Sequence, residues 1–166
     1  MTFLEFPLLR AVTMGICATV LMDMWLWLLK ACGVPALNFR LLGRWVGHMP
    51  RGRWVHDSIA KAIPVRGELT LGWLAHYLTG ISFALLFTGL CGPAWLSAPT
   101  FLPALTFGIG TVVLPLFVMQ PAMGAGFASA RTPTPVLNRL KSLANHTVFG
   151  LGLYAAAFAA AVLDQA

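Results

Sequence analysis

The chain has 166 residues, of which 58% are hydrophobic and only 10% charged, with a mean hydropathy of +0.80. An ordinary soluble domain carries about 25% charged residues, so water cannot be the main solvent here. The formal charge of +6 lies between apolar stretches rather than on a soluble surface, which excludes a nucleic-acid-binding module and leaves room for a single integral membrane domain over residues 1–166.

Four stretches exceed the roughly 20 apolar residues that span a bilayer. They run from Leu8 to Leu29, Leu69 to Leu90, Phe101 to Met123 and Ser142 to Leu163. The composition and these spans predict an all-α membrane protein, a bundle of four transmembrane helices with a helical segment between the first and second.

The start of the chain, Arg10 and then an apolar run, resembles a secretory signal, but Asp23 and Lys30 fit poorly and no small-residue cleavage site is evident, so a retained helix is expected. Cys17 falls within it, Cys32 just past its end and Cys91 at the far end of the second span. Cys32 and Cys91 then face opposite compartments, and no internal disulfide is expected.

Between the first two spans, residues 30–68 hold Lys30, Arg40, Arg44, Arg51, Arg53, Lys61 and Arg66, and residues 124–141 hold Arg131, Arg139 and Lys141. Such loops stay in the cytoplasm, which puts both termini outside it and leaves Arg10 as an exception. Arg40, Arg44, His48 and Arg51 recur at helical spacing beside a stripe of Leu37, Leu41, Trp45 and Met49. The pattern predicts an interfacial helix, with the stripe in lipid and Arg40, Arg44 and Arg51 on anionic headgroups. The alternative is a cap helix packed on the bundle. Pro50 ends it, and a second short helix is expected from Trp54 to Ile63, stopped by Pro64.

The uncharged stretch Cys91 to Thr100, with Gly92, Pro93 and Pro99, reads as a turn. Gln120 lies near the inner end of the third span, where Pro121 is expected to loosen the helix. A Gly-, Ala- and Ser-rich run follows from Ala122 to Ala130. Thr134 and Pro135 then suit an N-cap and first helical position, so the fourth helix is expected to start before the bilayer.

Each span carries a strongly polar side chain: Asp23, His76, Gln120 and His146. At about 1.5 Å per residue, Asp23 lies about 10 Å inside Lys30, His76 about 12 Å inside Glu68 and His146 about 7 Å inside Lys141, a single layer. The repeats Gly72, His76, Gly80 and Ser142, His146, Gly150 place both histidines on small-residue faces of the kind that line helix contacts. An unpaired carboxylate at Asp23 would cost several kcal/mol, so a partner is expected from His76, His146 or Lys30. Asp23, His76, Gln120 and His146 are the candidate ligand or proton-relay residues.

From Gly43-Arg44-Trp45-Val46-Gly47-His48-Met49-Pro50-Arg51-Gly52-Arg53 through His56-Asp57 and Pro64-Val65-Arg66-Gly67-Glu68, the chain resembles a family of small bacterial inner-membrane proteins catalogued as domain of unknown function 2938. The likeness continues through Met119 to Gly126, Arg131-Thr132-Pro133, Asn145-His146 and Gly150-Leu151-Gly152. It implies a multi-span protein of the bacterial inner membrane. It supplies no activity.

Three functional readings remain open. One is a site of Asp23, His76 and His146 that binds or passes a cation or small polar solute, intramembrane Asp and His being the usual parts of proton relays. Another is a bis-histidine haem, or a zinc ion on His76, His146 and Asp23 acting as a membrane hydrolase. The third is an accessory subunit whose polar layer sets helix register and whose basic surface docks a membrane partner protein or anionic lipid; a homo-oligomer is a further option. The chain has no HExxH or Ser-His-Asp pattern, so a non-enzyme is favoured and no cofactor is assigned. Met22, Met24, Met119 and Met123 read as core filler. His56-Asp57 reads as a solvated loop pair, with a lid over the polar layer as the alternative.

Overall fold

A computed structural model describes residues 5–35 and 37–164, and every helix named below lies within them. The element order is α1 (Glu5–Ala31), α2 (Phe39–His48), α3 (Glu68–Cys91), a short α4 (Ala94–Ser97), α5 (Phe101–Gly110), α6 (Gln120–Ala122) and α7 (Pro135–Leu163). Between α5 and α6 runs a π-helical stretch, Pro115–Met119. Among the described residues four helices are long and apolar enough to cross a bilayer: Pro7–Ala31, Glu68–Cys91, Phe101–Ala122 and Pro135–Leu163. The chain is therefore a multi-pass, all-α membrane protein.

Small residues set the crossings. Gly15 meets Gly80 where α1 crosses α3, Gly152 meets Ala18 where α7 crosses α1, and Gly108 meets Gly150 between α5 and α7. Lipid tails offer little hydrophobic gain between helices, so close backbone approach supplies the attraction. The buried apolar core lies in the half of the bundle toward Cys91 and includes Met14, Ala18, Phe87, Trp95, Leu96, Leu153 and Ala157. Arg10, the exception in the charge pattern, is ion-paired there with Asp164.

α2 lies along the first turns of α3. Asn38 caps it by accepting from the Arg40 amide, and Phe39 stacks on Trp73 with ring centroids 4.0 Å apart. Gly43 and Gly72 bring the two backbones so close that a Cβ on either would collide with a carbonyl of the other helix, Glu68 for Gly43 and Phe39 for Gly72. Arg44 closes the contact with a two-nitrogen grip on Glu68, at 2.9 and 3.2 Å.

That packing corrects two sequence expectations. Leu37, Leu41, Trp45 and Met49, the stripe expected in lipid, line a cavity between α2 and the long helices instead. Arg44 does not reach headgroups, because beyond Glu68 it donates to the carbonyls of Ala60 and Ala62; Arg40 and Arg51 remain exposed. α2 is thus the cap-type helix, tilted apolar side inward.

Two further expectations are corrected. Trp54 to Ile63 forms only a 3-10 turn, Ile59–Lys61, because its amides are used across the molecule: His56 N–H donates to Ala122 O and Ile59 N–H to Met123 O. The third span departs from α geometry at Thr111 and Pro115, upstream of Pro121. Pro115 has no N–H to offer Thr111, and the Gln120 amide reaches back five residues to the Pro115 carbonyl. α7 does begin at Pro135, after Thr134, though the threonine side chain makes no cap bond.

Candidate functional site

Asp23 projects from α1 at the level where α3 presents His76 and Tyr77. His76 Nε2 lies 2.8 Å from Asp23 Oδ1, and the Tyr77 hydroxyl donates to Asp23 Oδ2 at 2.8 Å. Each carboxylate oxygen thus has one hydrogen-bond partner, which offsets part of the cost of burying the group. Lys30 is exposed and takes no part. Tyr77 was invisible to the stripe argument, since residues 76 and 77 lie about 100° apart on a helix; Asp23 sits between them and reaches both.

His146, on α7, faces the third span rather than Asp23. Its Nδ1 lies 2.7 Å from Thr111 Oγ1, and that hydroxyl donates its only proton to Gly108 O at 2.6 Å. Thr111 therefore accepts from His146 Nδ1–H, a tautomer assigned from the bonding pattern. By the same logic His76 carries its proton on Nε2, toward Asp23. The remaining nitrogens, His76 Nδ1 and His146 Nε2, have no hydrogen-bond partner among the described residues and, in the neutral rings, carry bare lone pairs.

Both rings line one cavity of about 700 Å³. Its walls are mostly apolar, with Met22, Leu26, Phe83 and Phe149 from the long helices, Leu41, Leu42 and Trp45 from α2, Met49 just after it, and Leu114, Val118 and Met119 from the third span. Thr19, Thr79, Gln120, Ser142 and Asn145 add polar points. Gln120 is fixed by Ser129, whose hydroxyl donates to Oε1 at 2.8 Å. Ser129 and its neighbour Ala128 hold left-handed backbone at φ 63° and 47°, a strained turn tied down by Arg139 Nε on Ala128 O at 2.7 Å. Trp25 donates to Asn145 at 3.0 Å, a further α1–α7 link that the sequence did not suggest.

The layer expected from depth counting thus divides. Asp23 and His76 meet, His146 and Gln120 reach the cavity from other helices, and Asp23 stands behind His76 rather than in the lining. The metal alternative is corrected accordingly: among the described residues no three His, Cys, Asp or Glu side chains gather as a ligand set, so His76, His146 and Asp23 do not form the zinc site. His56 is buried rather than solvated, docked beside the 122–124 turn, whereas Asp57 is exposed.

Compared with known families, residues 12–160 match the model described as "Protein of unknown function (DUF2938)". The chain belongs to that family. No curated protein and no solved structure matches it.

Proposed function

We propose that this protein is a binding unit for a small amphipathic molecule, held in the cavity between α1, α2, α3, α7 and the third span. The observation that carries this reading is the pair of histidines on different helices that line one cavity while each turns a single ring nitrogen to a positioning partner. A largely apolar pocket of this size with a few convergent polar groups is the usual form of a small-molecule site. Bare nitrogen lone pairs accept hydrogen bonds, so the ligand's polar end carries a donor such as a hydroxyl, and its apolar body lies along Leu41, Trp45 and Val118. Asp23 keeps the His76 proton on Nε2 and so leaves Nδ1 as the acceptor offered to the ligand. A bare cation fits less well, because Asp23 stands behind His76 and does not line the cavity.

In this reading the membrane is the bacterial inner membrane, the basic segments lie in the cytoplasm, and Arg40 and Arg51 meet anionic headgroups. The charge asymmetry supports that orientation. Cys32 and Cys91 are free and exposed, so an impermeant thiol reagent on intact cells should label Cys91 and spare Cys32; the reverse labelling would invert the topology.

The binding reading is tested with brominated ten-carbon chains bearing a hydroxyl, a carboxylate or no polar group, read by quenching of Trp45 fluorescence in lipid nanodiscs. The alcohol should quench saturably and lose that saturation in His146→Phe. Equal, unsaturable quenching by all three would leave only partition into lipid and favour an accessory role for the polar layer.

A further inference from the structure

The cavity is not walled on every side. α1 packs along both α3 and α7, and α5 packs along α7, but among the described residues no comparable packing joins α3 to the Pro115–Met119 half of the third span. The third span and the turn after it are tied to α7 instead, through His146 on Thr111 and Arg139 on the Ala128 carbonyl. Ala75, Thr79 and Phe83 of α3 stand on one edge of the gap, and Leu114, Pro115 and Val118 stand on the other; all six line the cavity. Thr79 adds little polarity there, because its hydroxyl donates to the Ala75 carbonyl of its own helix at 2.8 Å.

The gap is bounded at both ends, which makes it a window in the side of the bundle. Toward Cys91, Phe83 meets Phe107 of α5 edge to face, with ring centroids 6.4 Å apart. Toward the basic segments, Val46 and Met49 line the floor. From there the chain runs across to the third span, where the His56 and Ile59 amides donate to the Ala122 and Met123 carbonyls. At about 1.5 Å per residue, Ala75 to Phe83 lie about 10 to 22 Å along α3 from Glu68, where that span begins. The hydrocarbon core of a bilayer is about 30 Å thick, so a window at this depth opens on lipid chains rather than on water.

We propose, building on the binding reading above, that the ligand is a long-chain membrane alcohol that enters from the bilayer through this window and leaves its tail there. The lining suits such a molecule, since the window edges are apolar while α7 contributes Asn138, Ser142, Asn145 and His146 to the cavity. A hydroxyl seated on the bare nitrogens of His76 and His146 sends its chain out past Thr79 and Val118. The chain length is then not limited by the cavity's volume of about 700 Å³. The end of the cavity toward Pro35 and Asn138 suits a chain less well. There Lys141 Nζ donates to the Pro35 carbonyl at 3.1 Å, tying α7 to the linker after α1 and placing an ammonium in the path of an alkyl tail.

The test photolabels the unsubstituted, full-length protein in nanodiscs with octadecanol that carries a diazirine either beside the hydroxyl or near the tail end. Labelling is repeated with excess 1-decanol, and the sites that decanol protects are mapped by mass spectrometry. The head-end probe should label cavity residues such as Gln120 or Phe149. The tail-end probe should label Leu78 and Phe117, the exposed neighbours of Thr79 and Val118, and decanol should abolish both patterns. With head labelling intact, protected tail labelling at Pro35, Leu37 or Lys141, or none at all, would overturn the window and leave the binding reading standing. Head labelling that decanol does not reduce would sink the binding reading, and the window with it.

Discussion

Asp23 is stabilised by two donors that act on one acceptor group, and this makes the cost of removing them unequal. Tyr77→Phe deletes one hydrogen bond and leaves Asp23 still bonded to His76, so it should cost about 1 kcal/mol. Asp23→Ala strands both the His76 N–H and the Tyr77 hydroxyl and should cost about 3 kcal/mol. The double variant should cost little more than Asp23→Ala alone, because the tyrosine bond cannot be lost twice. Reversible unfolding in mixed micelles measures all three, and simple additivity would contradict the shared-acceptor geometry. The need for a partner at Asp23 was legible from its depth alone. The identity of His146's partner was not, since Thr111 looks like any other threonine until the third span bends there.

At the scale of elements, the α2–α3 contact depends on the absence of two side chains. Gly72→Ala places a methyl group against the Phe39 carbonyl of α2, and lifting the helix to relieve it would cost about 2–3 kcal/mol. Gly89, on the same helix, has nothing within 4 Å of the Cβ position, so Gly89→Ala should be neutral or slightly stabilising, by up to about 1 kcal/mol. Thermal melts that rank the two variants the other way would remove the close crossing. The span boundaries were readable from hydropathy because lipid demands an unbroken apolar run. The role of α2 was not: an apolar stripe beside a basic stripe fits a helix facing lipid and one facing a cavity equally well. What separates them is tertiary, namely the Gly43–Gly72 approach and the Arg44–Glu68 pair between segments 24 residues apart.

In the whole molecule, the buried apolar core lies toward the Cys91 end, and the cavity lined by histidines from α3 and α7 lies toward the basic segments. Depth counting placed the polar residues in one layer but could not say which would touch, because it carries no information on helix rotation or on the bend at Thr111 and Pro115. The central claim is that the two free nitrogens, His76 Nδ1 and His146 Nε2, share that cavity. Histidine side-chain ¹⁵N spectra of the protein in nanodiscs, titrated with 1-decanol, test it most directly. Both resonances should move along a single saturable curve while the nitrogens facing Asp23 and Thr111 keep their protons. If only one resonance responds, or neither does, the histidines do not serve a common site.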